Sequence, residues 1–572
     1  MIDRKSFLAA CLLVALPANS RAADVDASVL KAEADRIAAI AQATNSAVSV
    51  FVPSGAGGGS GVVIDPEGFA LTNFHVSSPA GAYMVCGMAD GNLYDTVIVG
   101  IDPVGDLALV KLLGRSDFSA AELGNSDRVQ QGDWCMVIGN PFLLANDLQP
   151  TVTWGLISGV HRYQYPSGTL LEYADCLQTD ASINPGNSGG PLYAADSKLI
   201  GIVGRASFEK RGRVNVGVGY AISINQAKNF LGYLHSGRIV DHATLGATVA
   251  TDEGKVIVSN ILENSDAYRR GLRYGAEILA VNRRDVASAN DLQNVLGTLP
   301  KGWRVPISFR HEGRNVDTIV RLAGVHGRDE LLEKMAASMP PPPPRPKQKE
   351  GDAEKDQIAA ANAHDAELPA SVEAVYEAKH GYANYYFNRL HQQRLWEALK
   401  KHSPDASGAW TIEGPTDNDG PVLELNLGKQ VSIATDGGQP TLLDPTALYD
   451  GIDSQQLPAF AACLDAWQRM VALGPDRFGE VYYLGTMPLR GEYPLRNVLV
   501  GTSGELESWF YFDPESGRLE AVECWADRFR DPAELLIEAG DNNQPVGLSL
   551  YFGERRAWRM QVEQWKASAN EQ

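Results

Sequence analysis

Three residues carry the chemistry this sequence offers. Ser188 lies in residues 186–191, GNSGGP. A serine hydroxyl is a weak nucleophile until a base takes its proton and donors receive the oxyanion that forms. A Gly-x-Ser-x-Gly string alone is a weak signal, because glycine and serine fill turns. The other groups must come from elsewhere in the chain. His75, in ALTNFHV, supplies an imidazole directly after an apolar run, and Asp106, in GIDPVGDLALVKL, supplies a carboxylate ahead of another. Singly, such residues are ordinary strand-end and turn residues. Together, in the order His, Asp, Ser within one unit, they make a nucleophile, its base and the carboxylate that fixes the base's tautomer.

The elements that must position them are short strands. From Ala47 to about Val203, β-branched runs alternate with Gly, Asp, Asn and Pro: AVSVFV, SGVVID, TVIVGID, LALVKLL, WCMVIG, TVTWGLISGV, LIGIVG. This pattern predicts an all-β barrel or sandwich. An alanine-rich helical segment precedes it, from about Asp24 to Thr44, and a helix near NQAKNFLGYL closes the unit before Ser236.

The motifs GSGVVIDPEGFALTNFHV, DLALVKL, GNPF, TVTWGLISGV, TDASINPGNSGGPL and NVGVGYAISI, in that order over residues 47–225, resemble the HtrA/DegP family of trypsin-like serine proteases. The resemblance implies two six-stranded β-barrels with the active site in the cleft between them. It implies His75 as base, Asp106 as its orienter and Ser188 as nucleophile, with an oxyanion hole at Gly186, Asn187 and Ser188 formed by the N–H groups of Gly186 and Ser188. Asn187 stands where secreted zymogens of this fold carry an aspartate, so activation by trimming is not expected. Loops at residues 141–150 and 205–215 would order the hole instead. A specificity pocket is expected at Ala181, Ser182 and Ile183 and at Val216, Gly217, Val218 and Tyr220. It is small and apolar, so cleavage after Val or Ala is expected. The nearby Asp180 is read as a loop-holding residue rather than a recognition group.

The chain divides into five segments. Residues 1–23 read as a signal peptide, with Arg4 and Lys5 ahead of FLAACLLVAL. Residues 24–236 form the protease unit. Residues 240–325 resemble a PDZ domain, through NSDAYRRGLRYGAEILAVNRRDVASANDL. Ala276 stands there where the family has Asp, and Arg283 where it has Gly. The loop Thr244, Leu245, Gly246, Ala247 is expected to hold peptide C-termini by β-addition. Residues 326–370 carry five consecutive prolines and mixed charge, the composition of an extended, solvated linker. Residues 371–572 form an α+β unit of uncertain fold, read as a curved antiparallel sheet packed on helices and faintly resembling lipoprotein-carrier half-barrels. The tether predicts that this unit folds alone and makes few contacts with the rest.

The fold class expected is therefore mainly β: a double-barrel protease, a PDZ-like α/β domain, then α+β. The 572 residues and formal charge of −20 leave room for several cores and exclude a polybasic nucleic-acid or membrane surface. Past the leader no apolar run is long enough to span a membrane. Five cysteines remain beyond the leader, at irregular spacing; they read as buried thiols, a Cys463–Cys524 bridge being the alternative. No metal or organic cofactor is implied. The function expected is an exported ATP-independent serine endopeptidase, in the bacterial periplasm or cell envelope, acting on unfolded or damaged polypeptides. Assembly as a homotrimer through the segment near residues 28–44 is expected. The rival readings are a regulatory protease with one dedicated substrate, and a chaperone or scaffold that uses the fold without turnover.

Overall fold

The computed structural model describes residues 25–567, apart from 54–56, 142–146, 166–169, 209–214, 339–367, 407, 418–419, 429, 444–455 and 542–543. The segment read as a signal peptide, most of the proline-rich linker and parts of the loops at residues 141–150 and 205–215 lie outside the described residues. A helix, α1 (Ala27–Thr44), leads in. Asp26 caps it by accepting the Ser28 N–H, and its far end buries Ala39 and Ala43.

Six strands follow: β1 (Ala47–Phe51), β2 (Gly58–Val63), β3 (Phe69–Thr72), β4 (Tyr83–Met88), β5 (Leu93–Asp102) and β6 (Leu107–Leu112). They close into a barrel in the order β1-β2-β3-β6-β5-β4, with a short helix α2 (Phe74–Ser77) after β3. The alternation of side chains along a strand divides their apolar residues between two cores. Val63, Ala70, Ile98, Ala108 and Val110 fill the barrel, while their neighbours Val62, Leu71, Val97, Leu107 and Leu109 join a larger core shared with the next unit. That unit is a second closed barrel of β7 (Trp134–Gly139), β8 (Thr151–Gln164), β9 (Tyr173–Thr179), β10 (Pro191–Ala194), β11 (Leu199–Phe208) and β12 (Asn215–Ser223), ordered β10-β11-β12-β9-β8-β7. Helix α3 (Ile224–His235), capped by Ser223, ends it.

The PDZ-like unit is an antiparallel sheet of strands Ala247–Asp252, Lys255–Ile261, Glu277–Val281, Arg304–His311 and Arg314–Arg321, with Ala247–Asp252 at one edge. Its helix Ala289–Leu296 is capped by Ser288. The expected departure at Arg283 has a structural consequence. Arg283 holds φ at +63°, the left-handed region that suits glycine, and its guanidinium donates to the Gly491 carbonyl at 3.3 Å.

The C-terminal unit contains a seven-stranded antiparallel meander, from Glu480–Leu489 to Arg555–Gln561, covered by helix Gln456–Leu473. A five-stranded sheet runs beside it and ends on the strand Gln564–Ala567. The expectation that few contacts cross from this unit is not met. Arg304 of the PDZ-like sheet is buried and pairs with Glu523 at 3.0 Å and Glu534 at 2.7 Å, both in the meander. Arg321 reaches Glu523 at 2.6 Å, and Arg270 reaches Asp531 at 2.6 Å. On the protease side, Gly232 of α3 lets strand Glu480–Leu489 lie close: a Cβ there would stand 2.2 Å from Thr486 Oγ1. After the linker the chain returns to the first barrel, where Ser371 donates to Asp95 at 2.7 Å and Asn384 to the Ile98 carbonyl at 2.9 Å. The spacer's composition reports only on the spacer; the faces on either side of it are apolar and complementary, and one continuous core includes Val97, Ile222, Trp303, Val305, Val500 and Trp509. The five cysteines of the described residues are free and buried, as expected.

Candidate active site

Three turns present the predicted groups. At the end of β3, Asn73 turns the chain into α2, which carries His75; the Asn73 amide donates to the Asp106 carbonyl at 2.9 Å. Asp106 ends the turn between β5 and β6 with φ +58° and is fully buried. That backbone is sparsely populated for a non-glycine residue and is kept by the surrounding bonds. Asp102 holds the same turn by accepting the N–H groups of Val104, at 3.1 Å, and Gly105, at 2.8 Å. His75 Nδ1 lies 2.8 Å from Asp106 Oδ2 and 3.0 Å from Oδ1, and the His75 backbone N–H donates to Oδ1 at 3.1 Å. A carboxylate only accepts, so Nδ1 carries the proton and Nε2 is left as the basic atom. The imidazole side chain is 40% exposed, open to a substrate. Burial disfavours its charged form, but the Asp106 carboxylate outweighs this by charge and hydrogen bond, so the His75 pKa rises above its usual 6.5.

Ser188 lies in the loop between β9 and β10. Its hydroxyl donates to the Gly204 carbonyl at 3.3 Å, a long bond. Gly186, at φ +103°, and Gly189, at φ +83°, give the loop its shape. Among the described residues neither the Gly186 nor the Ser188 N–H is spent on a protein acceptor, whereas the Asn187 N–H donates to the Asn184 carbonyl at 3.0 Å. The Asn187 N–H is thus withdrawn from the oxyanion hole expected there, leaving the other two. The Asn187 side-chain oxygen is buried without a partner among the described residues.

Two further residues that sequence reasoning missed hold this geometry. Ser60 of β2 donates its N–H to the Ser188 carbonyl at 2.8 Å and its hydroxyl to the Gly186 carbonyl at 2.6 Å. It therefore anchors the Ser188 loop of the second barrel to the first. Tyr173 of β9 donates to Asp106 Oδ2 at 2.5 Å. Each lies far from its partner in sequence; Ser60 sits at the start of the GSGVVIDPEGFALTNFHV motif but nothing there marks its partner, and Tyr173 lies in none of the motifs. Gly59 makes room at the junction: a Cβ there would stand 2.8 Å from both the Ser188 carbonyl and Val76 Cγ2, so the loops of Ser188 and His75 meet at this point.

In the expected pocket, Ala181 and Ile183 are buried and Ser182 exposed. Val218 and Tyr220 are half-buried, Gly217 is exposed with φ +77°, and the side chain of Val216 lies outside the described residues. A Cβ on Gly219 would stand 2.3 Å from Ile183 Cδ1, so the two segments pack directly. Asp180 accepts the Leu156 N–H at 2.7 Å, the loop-holding bond expected of it. In the PDZ-like unit, Leu245 is buried, and the Gly246 N–H, at φ +70°, is occupied by Thr244 Oγ1 at 3.1 Å. Ala247 opens the edge strand, most of which is exposed. Among the described residues there is no grouping of side chains suited to a metal ion, and no helix long and apolar enough to cross a membrane.

Residues 59–202 match the trypsin-like peptidase domain, and residues 243–322 the PDZ domain. The chain is of the HtrA type, a trypsin-like serine protease unit followed by a PDZ domain. Over 291 residues this HtrA-type chain is 33% identical to a probable periplasmic serine endoprotease, DegP-like, of Chlamydia muridarum. Over 278 residues it is 33% identical to the periplasmic serine endoprotease DegP of Salmonella typhimurium. The matches cover 48% and 46% of this chain, and the chain spans 56% of the length of each relative. A solved HtrA-type protease, AlgW with tripeptide, aligns at 30% identity over 51% of this chain and 98% of its own, with a TM-score of 0.43.

Proposed function

We propose that the chain is an exported, ATP-independent serine endopeptidase acting on unfolded or damaged polypeptides, with Ser188, His75 and Asp106 as its catalytic residues. The observation that carries this reading is the buried Asp106 carboxylate on His75 Nδ1 beside a nucleophile loop with two unspent N–H groups.

Rotation of the Ser188 hydroxyl away from Gly204 directs its proton to His75 Nε2. As Oγ attacks the scissile carbonyl carbon, Nε2 takes that proton, and Asp106 stabilises the imidazolium. The oxyanion is received by the N–H groups of Gly186 and Ser188. Collapse breaks the C–N bond; the imidazolium gives its proton to the departing amine and leaves an acyl-serine. Water, deprotonated by His75, then releases the acid and restores Ser188. Ala181, Ile183 and Val218 favour small aliphatic side chains before the cut. The edge strand Ala247–Asp252 supports addition of a peptide C-terminus to the PDZ domain, and the names of the relatives support a periplasmic location. Exposed Val29, Leu30 and Ile37 on α1 support self-association, as a trimer.

The test is hydrolysis of reduced casein and labelling by a fluorophosphonate. Wild type should do both, and Ser188→Ala neither, with unchanged thermal stability. Normal turnover in that variant would sink the assignment.

A further inference from the structure

Strand β9 begins at the catalytic carboxylate and, two residues later, touches another domain. Tyr173 is 4% exposed, and its hydroxyl donates to Asp106 Oδ2 at 2.5 Å. Its ring fills the space beside Gly204, where a Cβ would stand 2.5 Å from Tyr173 Cε1. The preceding Glu172 donates its N–H to the Val104 carbonyl at 2.8 Å, tying the start of β9 to the Asp106 turn a second time. Asp175 is buried at φ +50°. Its carboxylate accepts from Arg284 Nη2 at 2.8 Å and lies 2.7 Å from His161 Nδ1. Its N–H donates to Asn294 Oδ1 at 2.8 Å. Between the two, Ala174 is in close contact with Gly297, where a Cβ would stand 2.5 Å from the Ala174 Cβ. Arg284, Asn294 and Gly297 all belong to the PDZ domain.

We infer that Tyr173 is a positioning residue for the Asp106 carboxylate, and that the PDZ domain holds it in place through Asp175. The inference rests on the catalytic reading of His75 and Asp106 given above. Without the tyrosine, among the described residues Oδ2 keeps only the imidazole as a hydrogen-bond partner, and the carboxylate is held by His75 alone. With it, both oxygens are fixed: Oδ1 by the His75 backbone, Oδ2 by the phenol. A fixed carboxylate fixes the imidazole, and small misplacement of a catalytic base is costly in rate. The contact also ties the base to the domain packing, because Tyr173 and Asp175 lie on one strand in which the left-handed backbone of Asp175 is kept by PDZ side chains.

Tyr173→Phe removes one oxygen and keeps the ring. We expect kcat on a peptide substrate to fall about tenfold, with KM within about twofold of wild type. The acid limb of the pH profile should move to higher pH, because a carboxylate relieved of one donor favours the imidazolium more. The low-field proton NMR signal of His75 Nδ1–H should shift or broaden. Arg284→Ala, which touches neither His75 nor Asp106, should lower kcat in the same direction, and the double variant should lose less than the product of the single losses. An unchanged pH limb, kcat and Nδ1–H signal in Tyr173→Phe would overturn the inference, as would full additivity of the two substitutions. Failure of the protease reading is separate. Wild type would then show neither casein hydrolysis nor Ser188 labelling, while the Nδ1–H signal would still report whether Tyr173 orders the pair.

Discussion

Glu523→Ala tests whether the C-terminal unit is part of one folded body with the PDZ domain. The Glu523 side chain is fully buried and receives three donors: Arg304 at 3.0 Å, Arg321 at 2.6 Å and the Tyr511 hydroxyl at 2.7 Å. Arg304 keeps Glu534 as a partner in the variant, but the Arg321 guanidinium loses the one carboxylate it pairs with among the described residues. It retains the faces of Trp509 and Trp525, at 5.0 and 5.1 Å. Breaking a buried pair from one side costs about 3–5 kcal/mol, because a charge is left without compensation. That is a factor of roughly 150 to 5,000 in the folded-to-unfolded ratio, against a total of about 5–15 kcal/mol for a typical domain. Tryptophan fluorescence in a urea titration reads this interface directly, since the two indoles flank Arg321. The midpoint should fall, and limited proteolysis should cut between the PDZ and C-terminal units sooner. The Arg321→Ala, Glu523→Ala cycle should show coupling of about 1 kcal/mol or more. A loss below about 1 kcal/mol, with no coupling, would refute the view that this cluster joins the two units.

Asp106→Asn should lower kcat by about 10⁴ in a peptide-cleavage assay, because the amide cannot hold the imidazole tautomer that leaves Nε2 basic. A loss under tenfold would mean that Asp106 does not orient His75. Ser60→Ala should lower kcat by about tenfold while leaving the fold intact, since it frees the Gly186 carbonyl and loosens the loop whose N–H groups receive the oxyanion; unchanged turnover would dismiss that role. Between the protease and the helix Tyr385–His402, burial and then Lys111 hold His235 down at about 4, and burial, then His235 and Arg394 hold His391 down at about 3. Phe69 and Tyr483 pack on these rings. The unfolded chain takes protons near the usual 6.5 that the folded one refuses, so stability should fall as the pH drops from about 6.5 toward 4. Circular-dichroism melts should show a smaller loss over that range in His391→Phe; an equal loss would clear the pair of this role.

The barrels were legible in the sequence because each strand buries residues of both parities in different cores, leaving short apolar runs bounded by turn residues. His75, Asp106 and Ser188 stand out in the sequence as candidates because each lies in a turn beside such a run and the three occur in the order His, Asp, Ser within one unit; that Asp106 is buried is not legible there. The edge strand Ala247–Asp252 is not legible in the sequence, since it is exposed along most of its length and lacks an apolar pattern. Ser60 and Tyr173 could not be assigned from sequence, because their roles are hydrogen bonds to partners 126 and 67 residues away that exist only when the barrels meet. The same holds for the C-terminal unit. Its strands and helices follow from local pattern, and its linker from composition. Its docking follows from neither: Arg304, Arg321, Glu523 and Glu534 read as ordinary surface charges until the two sheets bury them against each other. The sequence determined the elements and the candidate reacting groups, which depend on neighbours along the chain; the tertiary structure decided orientation and domain packing, which depend on contacts between faces far apart in it.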